Sequence, residues 1–395
     1  MLLKKDKDPT DCSSYRPLSL LNYDLNIFAK LLARRFQHHM PSLVNPDQTS
    51  FIKSRLAADN VRRLLHIIDT ATENKTSMSV LSLDAMKAFD RLEWSYLWSV
   101  LEAMGFGNTF IGMIKTLYSN PSAQVLTGQT YSSLFSVSRS SQQGCPLSPA
   151  LFVLSLEPLA QTVRQSVLIS PISVYNTQHQ LSLYADDVLV FLENPAQSVP
   201  HLLTICEEFV LPANIPIVQN FKYLGIEIFY SLNQIIKHNY SFVLNKILRD
   251  MDRWIDLPMS IRACISIVKM NILPQINFVS SMVPLPPSDY WSKLQSATSK
   301  FIWNRKRPHL KWSILQRRRE DGGLAIPNFE LYSWSFVLRP LLSWFDSHSS
   351  FSWRMLESSV VQPWTFQDVL FSNIPKNSVN YALVPLSLIL CWYGD

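Results

Sequence analysis

Leu181-Ser182-Leu183-Tyr184-Ala185-Asp186-Asp187-Val188-Leu189-Val190-Phe191-Leu192 is the stretch from which the fold can be read. Two β-favouring runs, residues 181–184 and 188–192, flank Ala185, Asp186 and Asp187, which predicts a hairpin with two carboxylates at its tip. Well upstream, residues 78–83 form another short apolar, β-favouring run that ends at Asp84. If these strands are neighbours in one sheet, three carboxylates converge at one edge. Carboxylates that close repel one another, so the cluster needs cations, and all-oxygen ligation favours Mg²⁺ or Mn²⁺. Two ions roughly 3.5 to 4 Å apart would clamp the attacking and leaving oxygens of an in-line phosphoryl displacement. The competing reading is an ordinary turn in which aspartate caps its own backbone. The full Tyr-Ala-Asp-Asp string between apolar strands, with Asp84 ending a third, favours the catalytic reading.

The chain around this stretch has 395 residues, 47% of them apolar and 17% charged. That is enough for two or three structural units and argues against disorder. Only nine residues are glycine, and no phosphate-cradling G-x-G-x-x-G or G-x-x-x-x-G-K-[ST] loop occurs. The five cysteines lie far apart, without a C-x-x-C pair, which excludes a zinc finger or disulfide framework as the organising feature. The basic start lacks a following apolar segment, so no signal peptide is expected. Residues 381–393, with Pro385, make the best membrane candidate and are too short to span. The expectation is an intracellular protein, nuclear or cytoplasmic, without a membrane helix.

The net charge of +6 is unevenly spread. Residues 1–63 hold 11 basic side chains against six aspartates, and residues 293–319 hold nine basic and no acidic residues. In the second segment the charges alternate with aromatics: Lys300, Phe301, Trp303, Arg305, Lys306, Arg307, Lys311, Trp312, then Arg317, Arg318 and Arg319. Cations neutralise phosphates and aromatic faces stack on bases, so the mixture suits a nucleic-acid strand. A solvated basic face or a localisation signal fits the same residues.

Helical periodicity predicts amphipathic helices over residues 18–36, 58–72, 93–104, 151–163, 198–209, 242–257 and 260–273, with Ser148 as an N-cap and a kink at Pro158. Pro284, Pro286 and Pro287 mark a linker. A sheet-containing first part followed by helices is an α+β arrangement.

Further stretches share one order along the chain: Tyr15-Arg16-Pro17-Leu18-Ser19-Leu20-Leu21-Asn22, Leu83-Asp84-Ala85-Met86-Lys87-Ala88-Phe89-Asp90, Gln142-Gln143-Gly144-Cys145-Pro146-Leu147-Ser148-Pro149, the Tyr184 to Asp187 hairpin, and Phe221-Lys222-Tyr223-Leu224-Gly225-Ile226. Together with Phe301-Ile302-Trp303 and Gly322-Gly323-Leu324-Ala325-Ile326-Pro327, they resemble the reverse transcriptase of non-LTR (LINE-type) retrotransposons. The resemblance implies a right-hand polymerase: fingers over 1–77, an antiparallel-sheet palm over 78–230, an α-helical thumb over 231–285, and a mostly helical basic region and tail over 286–395. It implies RNA-directed DNA synthesis on an RNA template from a DNA primer and dNTPs, with two divalent ions held by Asp84, Asp186 and Asp187. Phe89 becomes the aromatic gate against a 2′-hydroxyl, although an ordinary core phenylalanine is the alternative. Gln143 and Gly144 would line the nascent base pair, Arg16 would contact triphosphate or template, and Tyr223, Leu224 and Gly225 would grip the primer. Arg34, Arg35, Arg55, Arg305, Lys306, Arg307, Arg317, Arg318 and Arg319 are the expected nucleic-acid contacts. No feature points to a protein partner or a membrane.

The chain departs from the family in four places. Ser50 and Ser54 stand where glycines are usual, and a left-handed backbone there would strain each serine. Between Phe209 and Phe221 the family has a longer insert with a strand and a lysine motif, so a palm segment is shortened and no lysine acid can be named. The expectation is a copy without the family's endonuclease domain, and residues 362–395 match nothing in the family. A truncated copy that only binds nucleic acid is therefore the alternative reading.

Overall fold

The chain is described by a computed structural model covering residues 2–3, 8, 10–11, 14–16, 19–76, 78–84, 88–127, 129–175, 177–209, 218–345 and 352–371. In chain order the main elements are α1 (Tyr23–Gln37), α2 (Ala57–Glu73), β1 (Ser79–Asp84), α3 (Ala88–Arg91), α4 (Trp94–Ala103), α5 (Asn108–Leu117), α6 (Ser148–Gln165), β2 (Leu181–Tyr184), β3 (Asp187–Leu192), α7 (Pro195–Glu208), β4 (Phe221–Tyr223) and β5 (Ile226–Ile228). The later helices are α8 (Leu232–Trp254), α9 (Ile261–Ile267), α10 (Leu273–Met282), α11 (Asp289–Ile302), α12 (Trp312–Gln316), α13 (Phe329–Trp344) and α14 (Ser352–Val360). This is the expected α+β order. The chain forms two compact units, one made of Met1–Leu56, Ser77–Ile172 and Gln178–Pro216, the other of Ala57–Thr76, Ser173–Thr177 and Ile217–Asp395.

In the first unit an antiparallel sheet runs in the order β2-β3-β1. Its central strand β3 reads as an unbroken apolar run because both faces are covered, and Leu189, Val190, Phe191 and Leu192 are fully buried. Val188, Val190 and Leu192 pack with Leu159 and Val163 of α6 and with Leu202, Ile205 and Cys206 of α7. A second cluster joins Ala29, Leu32 and Phe36 of α1, Leu97 and Leu101 of α4, Ile111 and Ile114 of α5, and Leu151 and Leu154 of α6. Each of these large side chains contributes about 1.5 to 3 kcal/mol.

One local expectation changes. Ser148 is the first helical residue of α6 rather than its cap, and Leu147 holds the cap position without a side-chain hydrogen bond. Pro158, where a kink is expected, lies inside the continuous helix α6.

In the second unit, β4 and β5 pair with Tyr223 opposite Ile226. Leu224 (φ +47°) and Gly225 (φ +85°) make the two-residue turn, the pattern of a type I′ hairpin whose twist suits the strands. A Cβ on Gly225 would lie 2.8 Å from the Phe278 ring, so the position needs glycine for space as well as for φ. Asn239 of α8 locks β5 by accepting from the Glu227 amide (2.9 Å) and donating to the Glu227 carbonyl (2.8 Å). Helix α8 starts at Leu232, ten residues before its predicted start at residue 242, because a polar opening turn hides the period of its buried Ile235, Tyr240, Val243 and Ile247. The predicted helix at 260–273 continues through a π-helical turn (Val268–Ile272) into α10. Ile261–Met282 is long and apolar enough to cross a bilayer, yet Ile265, Val268, Ile272, Ile276 and Val279 are buried within the unit. The membrane candidate of the sequence, residues 381–393, lies outside the described residues.

Residues 57–76, expected with the fingers, group instead with the second unit. One tie within that unit is Glu357 of α14, which is fully buried and accepts from Arg62, from His66 (2.9 Å) and from the Trp344 indole (2.7 Å). Arg62 also lies over the Trp353 ring at 4.6 Å, and the Trp353 indole donates to Asp59 (3.0 Å). Burial alone would raise the Glu357 carboxyl, but Arg62 and His66 outweigh it and hold it below the ordinary value.

Glu357→Gln is expected to lower the stability of this unit by about 3 kcal/mol in denaturant unfolding, because it leaves Arg62 unpaired. A carboxyl lowered on folding stabilises the fold above its unfolded value, 4.5, and that contribution is lost as pH falls through the folded value. The acid limb of a stability–pH curve will therefore flatten in the variant. Gly225→Ala is expected to cost about 1 kcal/mol or more by the same unfolding measurement, since φ and the Phe278 ring both oppose a methyl group.

Candidate active site and nucleic-acid surface

Asp84 is the last residue of β1 and Asp187 the first of β3, and the ladder sets them opposite each other. The strand begins one residue earlier than the apolar pattern indicated, so the hairpin turn is Ala185-Asp186 alone, closed by Tyr184 opposite Asp187. Asp186 is half-buried and Asp187 exposed. Backbone register thus brings the three expected carboxylate residues to one sheet edge. Among the described residues no group of three His, Cys, Asp or Glu side chains converges; the Asp84 side chain is outside that description.

Ala185 takes a left-handed backbone, φ +55°, which costs an L-residue with a Cβ about 1 to 2 kcal/mol. Its amide donates to Ser50 Oγ (2.7 Å) and Gln48 Oε1 (3.2 Å). Residues 47–50 run beside β2, with the Leu183 amide donating to the Asp47 carbonyl (2.9 Å) and the Thr49 amide to the Leu183 carbonyl (3.0 Å). The Asp47 carboxylate is gripped by the Arg164 fork at 2.9 and 2.7 Å. Arg164 also donates to Glu157 (2.7 Å), whose carboxyl burial raises despite the arginine. Sequence reasoning found none of Asp47, Gln48, Arg164 and Glu157. The only signal was the seven-residue spacing that puts Glu157 and Arg164 on one face of α6.

Of the two serines in glycine positions, Ser54 has φ +70° and carries the expected strain, whereas Ser50 is not left-handed. Phe89 is partly buried, stacks on Phe152 with ring centroids 3.9 Å apart, and shares a cluster with Ala185. Gln143 and exposed Gly144 (φ +111°) lie in the loop before α6, where the Gln143 carbonyl accepts from the Ser19 amide (2.8 Å). The backbone of Arg16 pairs with Leu2 in a short antiparallel bridge.

Arg34 and Arg35 are exposed in the last turn of α1, where cations suit the helix dipole. Arg55, expected on the same surface, is used differently. Its guanidinium donates to the carbonyls of Asn45 and Gln48 (both 2.8 Å), and of Pro41 and Val44 (both 3.2 Å). With four of its five N–H groups so occupied, Arg55 braces the loop that carries Gln48 and Ser50 and has one donor left for a phosphate.

In the second unit, Tyr223 is buried and its hydroxyl accepts from Asn60 (3.3 Å), while Leu224 and Gly225 form the tight turn between β4 and β5. A cleft of about 780 Å³ is lined by Lys300, Lys306, His309, Lys311 and Trp312 along with several serines. Lys306, Arg307, Arg317, Arg318 and Arg319 are exposed. Arg305 is shared with Asp252 (3.9 Å) and Asp256 (3.8 Å) in loose surface pairs, a geometry worth little in water. The stretch after Phe209 that is expected to be shortened falls largely outside the described residues, as does most of the tail after residue 362.

Sequence relatives occur among transposon proteins. The chain is 33% identical over 193 residues to the Transposon TX1 uncharacterized 149 kDa protein of Xenopus laevis, covering 49% of this chain and 15% of that one. It is 28% identical over 190 residues to a retrovirus-related Pol polyprotein from the type-2 retrotransposable element R2DM of Drosophila melanogaster, covering 47% and 17%. The matches thus span less than a fifth of either relative. Among solved structures, apo telomerase from Candida tropicalis aligns at 12% identity with a TM-score of 0.41, over 85% of this chain and 62% of that one. The family described as reverse transcriptase (RNA-dependent DNA polymerase) matches residues 2–228, more than half of the sequence and all of the carboxylate sheet, and the chain belongs to that family.

Proposed function

We propose that the chain carries out RNA-templated DNA synthesis, transferring a nucleotidyl group from a dNTP to a primer 3′-hydroxyl. The observation that carries this reading is the register that sets Asp84 opposite Asp187 with Asp186 in the adjoining turn. A donor set of carboxylate oxygens fits hard divalent ions, Mg²⁺ or Mn²⁺, and Asp84 and Asp186 would hold them with Asp187 beside them. Bound there, two such ions supply acidity to the primer hydroxyl and offset charge on the departing pyrophosphate. Phe89, seated on Phe152, is the ring that a 2′-hydroxyl would strike. Gln143 and Gly144 line the nascent base pair, and Arg16 meets the triphosphate or template. Tyr223, Leu224 and Gly225 position the primer end. Arg34, Arg35, Arg305, Lys306, Arg307, Arg317, Arg318 and Arg319 take phosphates, and the lysine-lined cleft with Trp312 offers a stacking face to a single strand.

The second reading, a chain that binds nucleic acid without extending it, is favoured by the short stretch between Phe209 and Phe221. Purified chain given an annealed RNA template, a DNA primer, dNTPs and Mg²⁺ is expected to extend the primer, and Asp186→Ala to reduce extension to background. Extension that survives this change overturns the mechanism, and salt-dependent RNA binding without any extension selects the second reading. Replacing Arg317, Arg318 and Arg319 together by alanine is expected to lower the slope of log affinity against log salt for single-stranded RNA by about 2, if each contacts one phosphate. An unchanged slope removes these three from the surface.

A further inference from the structure

We propose that Ser50 and Gln48 are positioning residues for Asp186, acting through the amide of Ala185. Asp186 is the second residue of a two-residue turn, so the conformation of Ala185 sets its direction. That conformation, φ +55°, is one alanine does not hold unaided. The Ala185 amide is held by two acceptors, Ser50 Oγ at 2.7 Å and Gln48 Oε1 at 3.2 Å. The two acceptors fix each other, since the Ser50 hydroxyl (2.8 Å) and the Ser50 amide (3.0 Å) both donate to Gln48 Oε1. Gln48 and Ser50 are 1% exposed and Ala185 is 5% exposed, so water does not compete for these bonds. The segment is itself anchored at both ends, by the Arg164 fork on Asp47 and by Arg55 on the carbonyls around it.

A glycine at position 50 would have no hydroxyl, so the shorter of the two bonds depends on this residue being serine. A space-filling serine would make the same packing contacts and is distinguished by its hydroxyl alone. The kinetic and Mn²⁺ parts of the test rest on the polymerase reading with its carboxylate-bound ions; the exchange part does not.

Amide hydrogen exchange on the full chain is expected to be slow at Ala185 and to quicken at least about fivefold in Ser50→Ala. Mn²⁺ alone, titrated by the paramagnetic resonance of the free ion, is expected to bind the wild-type chain and to bind Ser50→Ala several-fold more weakly, while Ser50→Thr, which keeps the hydroxyl, retains the affinity. In primer extension, kcat will fall in Ser50→Ala with the KM for dNTP unchanged. Unchanged exchange at Ala185, or faster exchange with unaltered Mn²⁺ affinity, overturns the proposal alone. A wild-type chain that binds no Mn²⁺ overturns the carboxylate reading and this proposal with it.

Discussion

Asp84 and Asp187 occupy opposite positions on the β1–β3 ladder, and like charges so placed cost of order 1 kcal/mol. The ladder forms in that register because of the apolar residues next along β3. Five consecutive side chains from Val188 to Leu192 are buried, each contributing about 1.5 to 3 kcal/mol, and slipping by one residue would turn Leu189 and Phe191 toward α6 and α7 in place of Val188, Val190 and Leu192. Burial therefore exceeds the repulsion several-fold, and the apolar strand dictates where the carboxylates stand. The rest of the first unit depends on this: Ala185 is strained because the ladder leaves two residues for the turn, and residues 47–50 are recruited beside β2 to hold it.

Features with a short-range physical signature were legible in the sequence. The two apolar runs and the turn around Ala185 gave the hairpin, the apolar run ending at Asp84 gave its partner strand, and the helical period over 93–104 gave α4. What escaped depends on partners distant in sequence. Residues 47–50 read Asp-Gln-Thr-Ser, with no alternation to mark a strand, and are ordered by contacts to Leu183 and Ala185. Helix α2 has a clear period, but nothing local says that its Arg62 and His66 will meet Glu357 almost 300 residues later. Arg55 shows the limit of charge arithmetic. It adds to the basic balance of the first 63 residues, yet four of its donors are bound to backbone carbonyls.

The scarcity of glycine acquires a structural meaning from these turns. A chain with nine glycines in 395 residues must place other residues where the backbone turns left-handed, and those that do so include Phe51, Ser54, Ala185, Leu224, Asn304, Arg305 and Ala325. Each such residue costs about 1 to 3 kcal/mol, which only surrounding structure can offset. At Ala325 the amide donates to the Arg317 carbonyl (2.9 Å), and at Arg305 to the Lys300 carbonyl (2.9 Å). At Ala185 the offset comes from side chains instead. Backbone acceptors come with any residue type, whereas Ser50 and Gln48 are specific choices, so the turn carrying Asp186 tolerates fewer sequences than the others. Its geometry is under separate chemical control at the point where the proposed reaction needs a carboxylate held in place.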